Sequence, residues 1–221
     1  MLNIQPGITA IIGAGGKSTL LRTLAQELSA SARVVVATST KMHVPDWCPV
    51  LVDGGGLLTA VCEALAVRPC VCVGTIHGES GKLQAPHLEF YQLLEVADYV
   101  LVEADGAHKL PLKAHASHEP VIPAGAARTV CVVGADGVGA PVTRVCHRPE
   151  RFAELAGAST DAAVTPEMVA AVLNAEALHD VVLVNKVETA TDWQAAERIA
   201  ALCETPVVAG SLWEGVFRCL W

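Results

Sequence analysis

Lys17, Ser18 and Thr19 stand directly behind a glycine-rich turn in the run Gly13-Ala14-Gly15-Gly16-Lys17-Ser18-Thr19. Glycines let a backbone turn several N–H groups toward one anion, and a helix N-terminus adds its partial positive charge. Lys17 adds a full one. Ser18 or Thr19 offers a hydroxyl to Mg²⁺. The chemistry these residues suit is the binding of a nucleotide's β- and γ-phosphates by the loop from Gly13 to Thr19. The glycine that usually stands five residues before Gly16 is Ile11 here, so the loop is a short variant, G-x-G-G-K-S-T.

Four other stretches carry residues that fit the same chemistry. The apolar run Tyr99-Val100-Leu101-Val102 ends in Glu103-Ala104-Asp105-Gly106. Phosphate-loop proteins keep the carboxylate for Mg²⁺ at such a strand end. Glu103 or Asp105 would hold the metal with Ser18, directly or through water, or orient a nucleophilic water. In Thr38-Ser39-Thr40-Lys41-Met42-His43, the side chains of Thr38, Thr40 and His43 are expected to reach the γ-phosphate, the metal or the attacking water. The proline-rich segment His108 to Pro123 holds three histidines and two lysines. Of these, Lys109, Lys113 and His118 are candidates for phosphate or substrate contact. His115, His118 and Glu119 make a weaker metal-binding pattern. Asn185-Lys186-Val187-Glu188 closes another apolar run. Many GTP-binding proteins read guanine with Asn-Lys-x-acid at this place, so Asn185, Lys186 and Glu188 are candidate base contacts, with Gly210-Ser211 lying over the base. The acid is Glu, one methylene longer than the usual Asp, and GTP and ATP both stay open as ligands.

These residues must be positioned by alternating strands and helices. Ile8–Ile12 reads as a strand and Leu20–Leu28 as a helix with leucines at helical spacing. Strands are expected at 33–37, 49–53, 70–74, 99–102, 128–133, 180–184 and 206–209. Helices are expected at 57–67, 87–96, 147–155, 166–173 and 192–202, and a hairpin or exposed loop at 77–82. Thr165-Pro166 is a helix start, with Thr165 as N-cap and proline in the first turn. The alternation predicts an α/β fold in three layers, doubly wound around a mostly parallel sheet. One domain over 1–221 is expected, with a small helical excursion at about 147–178. In such a sheet ligands sit beyond the carboxyl ends of the strands, where all the candidate stretches begin.

Composition narrows the function classes. The 221 residues carry a formal net charge of −8 and a pI near 5.4, which argues against a general nucleic-acid binder. Mean hydropathy is +0.43, yet no run approaches the ~18 apolar residues of a membrane span. No secretory pattern opens the chain, and a cytoplasmic location is expected. The eight cysteines are scattered without a C-x-x-C and read as free thiols. Cys70 and Cys72 would share one face of a strand, the spacing of a metal pair. The C-terminal apolar residues Leu212-Trp213, Val216-Phe217 and Leu220-Trp221 read as core or interface.

The loop Gly13–Thr19, Val102-Glu-Ala-Asp-Gly106 and Leu110-Pro-Leu-Lys-Ala114 leading to His118-Glu-Pro-Val-Ile-Pro123 resemble the YqeC family. The Thr38–His43 stretch, His147-Arg-Pro-Glu150 and Asn185–Glu188 extend the resemblance over nearly the whole chain. The short loop is also similar to that of Mur-type ligases. YqeC proteins are described as accessory proteins of selenium-dependent molybdenum hydroxylases. The resemblance therefore implies a P-loop NTPase-like protein that assists maturation of such a hydroxylase, with Mg²⁺ and GTP or ATP. Two other readings of the same residues are a small-molecule kinase or Mur-like ligase, and a delivery protein that binds nucleotide without cleaving it.

Overall fold

The structure, a computed structural model, describes every residue except Glu79, in the expected hairpin or exposed loop, and Trp221, in the C-terminal apolar run. The chain opens with β1 (Gly7–Gly13) and α1 (Lys17–Leu28), followed by β2 (Val34–Thr38), the two-residue β3 (Lys41–Met42) and β4 (Val50–Val52). Then come α2 (Leu57–Leu65), β5 (Cys70–His77), β6 (Lys82–Gln84), a 3₁₀ turn (Phe90–Glu95) and β7 (Tyr99–Glu103). The short β8 (Leu112–Lys113) precedes β9 (Ala126–Gly134), and α3 (Val142–Val145) runs into β10 (Cys146–His147). The chain finishes with α4 (Pro149–Ala156), α5 (Pro166–Glu176), β11 (Val181–Asn185), α6 (Ala190–Leu202), β12 (Val207–Ser211) and β13 (Val216–Cys219).

The sheet is mostly parallel, ordered β13-β12-β11-β9-β1-β7-β2-β5-β6-β3 with β4 also on β5. Only the pairings at the ends are antiparallel: β13 with β12 at one end, and β6 with β5 and β3 at the other. Strands β1, β2, β7 and β11 are apolar on both faces and almost wholly buried, as expected for parallel strands covered by helices on both sides. Ile11 pairs with Glu103, and Glu103 pairs with Thr38. This register brings the carboxyl ends of β1, β7 and β2 to one edge.

Alternation along each strand sorts the core. Ile11, Val34, Val36, Leu101 and Val132 face α1, which supplies Leu20, Leu21 and Leu24. On the other face, Ala10, Ile12, Val133 and Val182 meet Phe152 of α4, Val169 and Leu173 of α5 and Ile199 of α6. On that face too, α2 packs Val61 and Leu65 on Val35, Val71 and Val100. The helical stretch at 147–178 thus packs directly on the sheet. Thr165 caps α5 by accepting from the Met168 N–H at 3.3 Å, and Thr189 and Asp192 form a capping box on α6.

Two stretches differ from the sequence pattern. The run 87–96 closes into six residues of 3₁₀ helix, bounded by a Glu89–Gln92 capping box. Val216–Cys219 forms an edge strand with little burial, so no alternation marked it. No described helix is long and apolar enough to cross a membrane.

Candidate functional site

The glycine-rich turn joins β1 to α1, and its glycines have no room for side chains. Gly13, Gly15 and Gly16 have φ of 89°, 81° and 140°. A Cβ on Gly15 would strike the Gly134 backbone, and one on Gly16 would strike the Asn185 side chain. The Ala14 N–H donates to Val132 O at 2.8 Å and the Gly15 N–H to Leu110 O at 3.1 Å. The Gly13 N–H donates to Asp105 Oδ2 at 2.9 Å. Three of the amides expected to face phosphate are therefore used within the protein. Gly16, the N-cap of α1, has no side-chain cap, so the N–H groups of the first helical turn are the ones left without acceptors in the helix.

Asp105 is the hub beneath this turn. It is fully buried and sits 3.0 Å from Lys17 Nζ, 3.2 Å from Lys113 Nζ and 2.8 Å from His115 Nε2. Lys17 donates to Gly13 O at 2.7 Å. Its approach to Asp105 Oδ1 is an ion pair without an aligned hydrogen bond, since Oδ1 takes none. Burial alone would raise the Asp105 pKa, but the hydrogen bond from His115 and the charges of Lys17 and Lys113 hold it down at about 2. His115 continues the chain outward: its Nδ1 lies 2.7 Å from Glu176 Oε2, and its backbone N–H donates to Glu176 Oε1 at 2.6 Å. Burial pulls the imidazole pKa down, and the two carboxylates more than reverse this. Lys113 also donates to Gly106 O at 2.6 Å and pairs with Glu119 at 2.9 Å, which Arg148 holds at 3.0 Å.

Glu103, two residues before Asp105, points the other way. It lines a cleft of about 840 Å³ over the turn and accepts from Ser18 Oγ at 2.9 Å. Burial raises its pKa, partly offset by Lys17 and Ser18. Among the expected residues, Gly15, Gly16, Lys17, Ser18, Thr19, Thr40, His43, Lys109 and Lys186 also line this cleft. Lys41 and Lys82 join them, giving a basic wall in an acidic chain. Thr40 Oγ1 is buried without a partner. His108 and Lys109 hold left-handed backbones at φ of 50° and 64°, a conformation that costs non-glycine residues and is concentrated at binding sites.

Other expected residues lie elsewhere. Asp105 and Lys113 face inward, neutralising one another. Thr38 is buried and donates to Glu103 O at 2.8 Å, so it braces the strand end. His118 is exposed, and His115 is committed to Asp105 and Glu176. The described residues hold no group of three His, Cys, Asp or Glu side chains placed to bind a metal ion. Asn185 is an internal brace: its Nδ2 donates to Gly15 O at 2.8 Å and its Oδ1 accepts from Leu212 N–H at 3.0 Å. It ties the end of β11 to the glycine-rich turn. Lys186 pairs with Asp136 at 2.7 Å, and Glu188 accepts from Ser211 Oγ at 2.9 Å. Glu176 carries no local motif, and only the folded chain places it beside His115.

A family model described as YqeC protein matches residues 9–150. The chain is 34% identical over 165 residues to a protein from Escherichia coli (strain K12) named Uncharacterized protein YqeC. That match takes in 72% of this chain and 64% of the relative, so the chain spans just under two thirds of the relative's length.

Proposed function

The chain belongs to the YqeC family, and from that premise and the geometry of the cleft we propose that it binds a nucleoside triphosphate with Mg²⁺ and hydrolyses it. The observation that carries this reading is the junction of Ser18 with Glu103 at the uncapped N-terminus of α1, inside a cleft walled by lysines. Anions bind at such helix ends because the N–H groups and the helix dipole both favour negative charge. Lys17 lines the cleft and is held beside this helix end by Gly13 O and Asp105. Mg²⁺ keeps several waters and needs only one or two protein oxygens besides phosphate, and Ser18 and Glu103 supply a hydroxyl and a carboxylate. When bound, the ion would neutralise charge on the phosphates. Phosphoryl transfer asks for little beyond positioning and charge neutralisation, which Lys17, the first-turn amides of α1 and Lys41, Lys82 and Lys109 provide. Glu188, fixed by Ser211 beside the Asn185 brace, is the acid available to a guanine base. By the resemblance, the client is a molybdenum hydroxylase or its maturation machinery.

The test of the metal role is Glu103→Gln together with chelation. Nucleotide affinity should fall at least about tenfold in the variant, close to 1.4 kcal/mol, and by a similar factor in wild type with excess EDTA. Affinity unchanged by both treatments would remove Ser18 and Glu103 from the site.

A second reading, a kinase or ligase, is favoured by one further observation. A second cleft of about 890 Å³ lies beyond His115 and Glu119, lined by His147, Arg148, Arg151 and Glu176, where an acceptor would sit. Turnover that rises on adding a small acidic acceptor would favour this reading; hydrolysis indifferent to acceptors would remove it.

A further inference from the structure

Three of the eight cysteines meet far from the nucleotide cleft, and nothing in the proposed function uses them. Cys70 and Cys72 lie two residues apart on β5, on the sheet face that α1 covers. On the neighbouring strand Val50 pairs with Cys72, and the Cys72 N–H donates to Pro49 O at 2.8 Å. Cys48 stands two residues before Val50, and Cys48 and Cys70 pack against the same apolar cluster as Cys72. Adjacent strands are ~4.8 Å apart, inside the range of Cα separations that disulfides span. Cys48 and Cys70 are half-buried, whereas Cys72 is wholly buried.

We propose that Cys48 and Cys70 form a thiol–disulfide exchange pair that reacts with low-molecular-weight disulfides of the glutathione type. The Cys48 thiolate attacks one sulfur of R–S–S–R, forming Cys48–S–S–R and expelling R–S⁻. Cys70 loses its proton to solvent and attacks the Cys48 sulfur, forming the Cys48–Cys70 disulfide and expelling the second R–S⁻. Two protein thiols are oxidised, one small disulfide is reduced, and the released thiolates take up protons from water.

The environments of the other thiols sharpen the assignment. The neighbouring thiols of Cys70 and Cys72 hold Cys48 well below the ordinary thiol range, against the effect of burial, and are themselves raised. Burial raises Cys131, Cys146 and Cys203 and makes them inert.

Alkylation of the intact protein by iodoacetamide, read peptide by peptide in a mass spectrometer, tests the first step. Between pH 6 and 8 the Cys48 rate constant should change less than about twofold, while that of a small free thiol added as a standard rises roughly 75-fold. Oxidised glutathione should give a Cys48–Cys70 disulfide in wild type and a lasting glutathione adduct on Cys48 in Cys70→Ser. A Cys48 rate that climbs in parallel with the free-thiol standard overturns the proposal. So does a wild-type protein left reduced at both positions by oxidised glutathione, or one bridged through Cys72, and these two outcomes are read without any variant.

Discussion

Replacing Lys17 with alanine should abolish the proposed nucleotide binding in a protein that still folds. The affinity for Mg²⁺-nucleotide should fall at least about a hundredfold, close to 3 kcal/mol. Lys17 is the cation nearest the helix end where phosphate would sit, and no other ammonium of the cleft starts from β1's own turn. The fold should persist because Asp105, left without Lys17, keeps Lys113 at 3.2 Å and His115 at 2.8 Å. Lys17→Met retains the packing of the stem and separates lost charge from lost contact. Calorimetric titration, with circular dichroism as the check on folding, reads the outcome. A variant that binds within about threefold of wild type would take the lysine out of the site.

The second large effect concerns stability. Asp105→Asn keeps the shape of the side chain and removes the one negative charge that Lys17, Lys113 and His115 share. Breaking a buried ionic group by removing one partner costs about 3–5 kcal/mol, and here Lys17 loses the acid it pairs with while Lys113 and His115 keep Glu119 and Glu176. The loss should appear in the midpoint of urea unfolding, and a loss below about 1 kcal/mol would show that the hub holds nothing together. The pH dependence has a definite sign. Asp105 is held at about 2 in the fold, below its ~3.9 in an unfolded chain. Its contribution is therefore complete above about pH 4 and is lost as pH falls toward 2, amounting to about 2–3 kcal/mol. His115 is raised, so its share is complete below ~6.5 and fades as pH rises through its folded value. Wild type should lose stability steeply between pH 4 and 2, and Asp105→Asn should show a flatter acid limb.

What the sequence displays and what it conceals differ by range. The strand, turn and helix around Lys17 are local, so glycine spacing, an apolar run and leucine periodicity suffice to place them. The register that sets Glu103 against Ile11 and Thr38 also follows from parallel strands ending at one edge. Burial direction does not follow. Glu103 and Asp105 are separated by one residue, and strand alternation does not govern the loop that Asp105 begins. Its inward turn is decided by Lys113, His115 and the Gly13 N–H. His115 finds Glu176 across 61 residues, a pairing no local pattern announces. Lys113 looked like an anion contact because lysines are ordinarily solvated; here Asp105 and Glu119 neutralise it in the interior. Asn185 likewise has the right place for base contact, yet both ends of its amide serve Gly15 and Leu212.

The most direct test is calorimetric titration of the intact wild-type protein with Mg²⁺-GTP and Mg²⁺-ATP. The account predicts saturable binding at a single site, weakened by EDTA and lost in Lys17→Ala. GTP preference that disappears in Glu188→Ala would assign the base to the end of β11, and ATP preference would leave Asn185–Glu188 as a brace alone. A folded protein that takes up neither nucleotide, with no heat and no binding at saturating concentrations, would contradict the central claim.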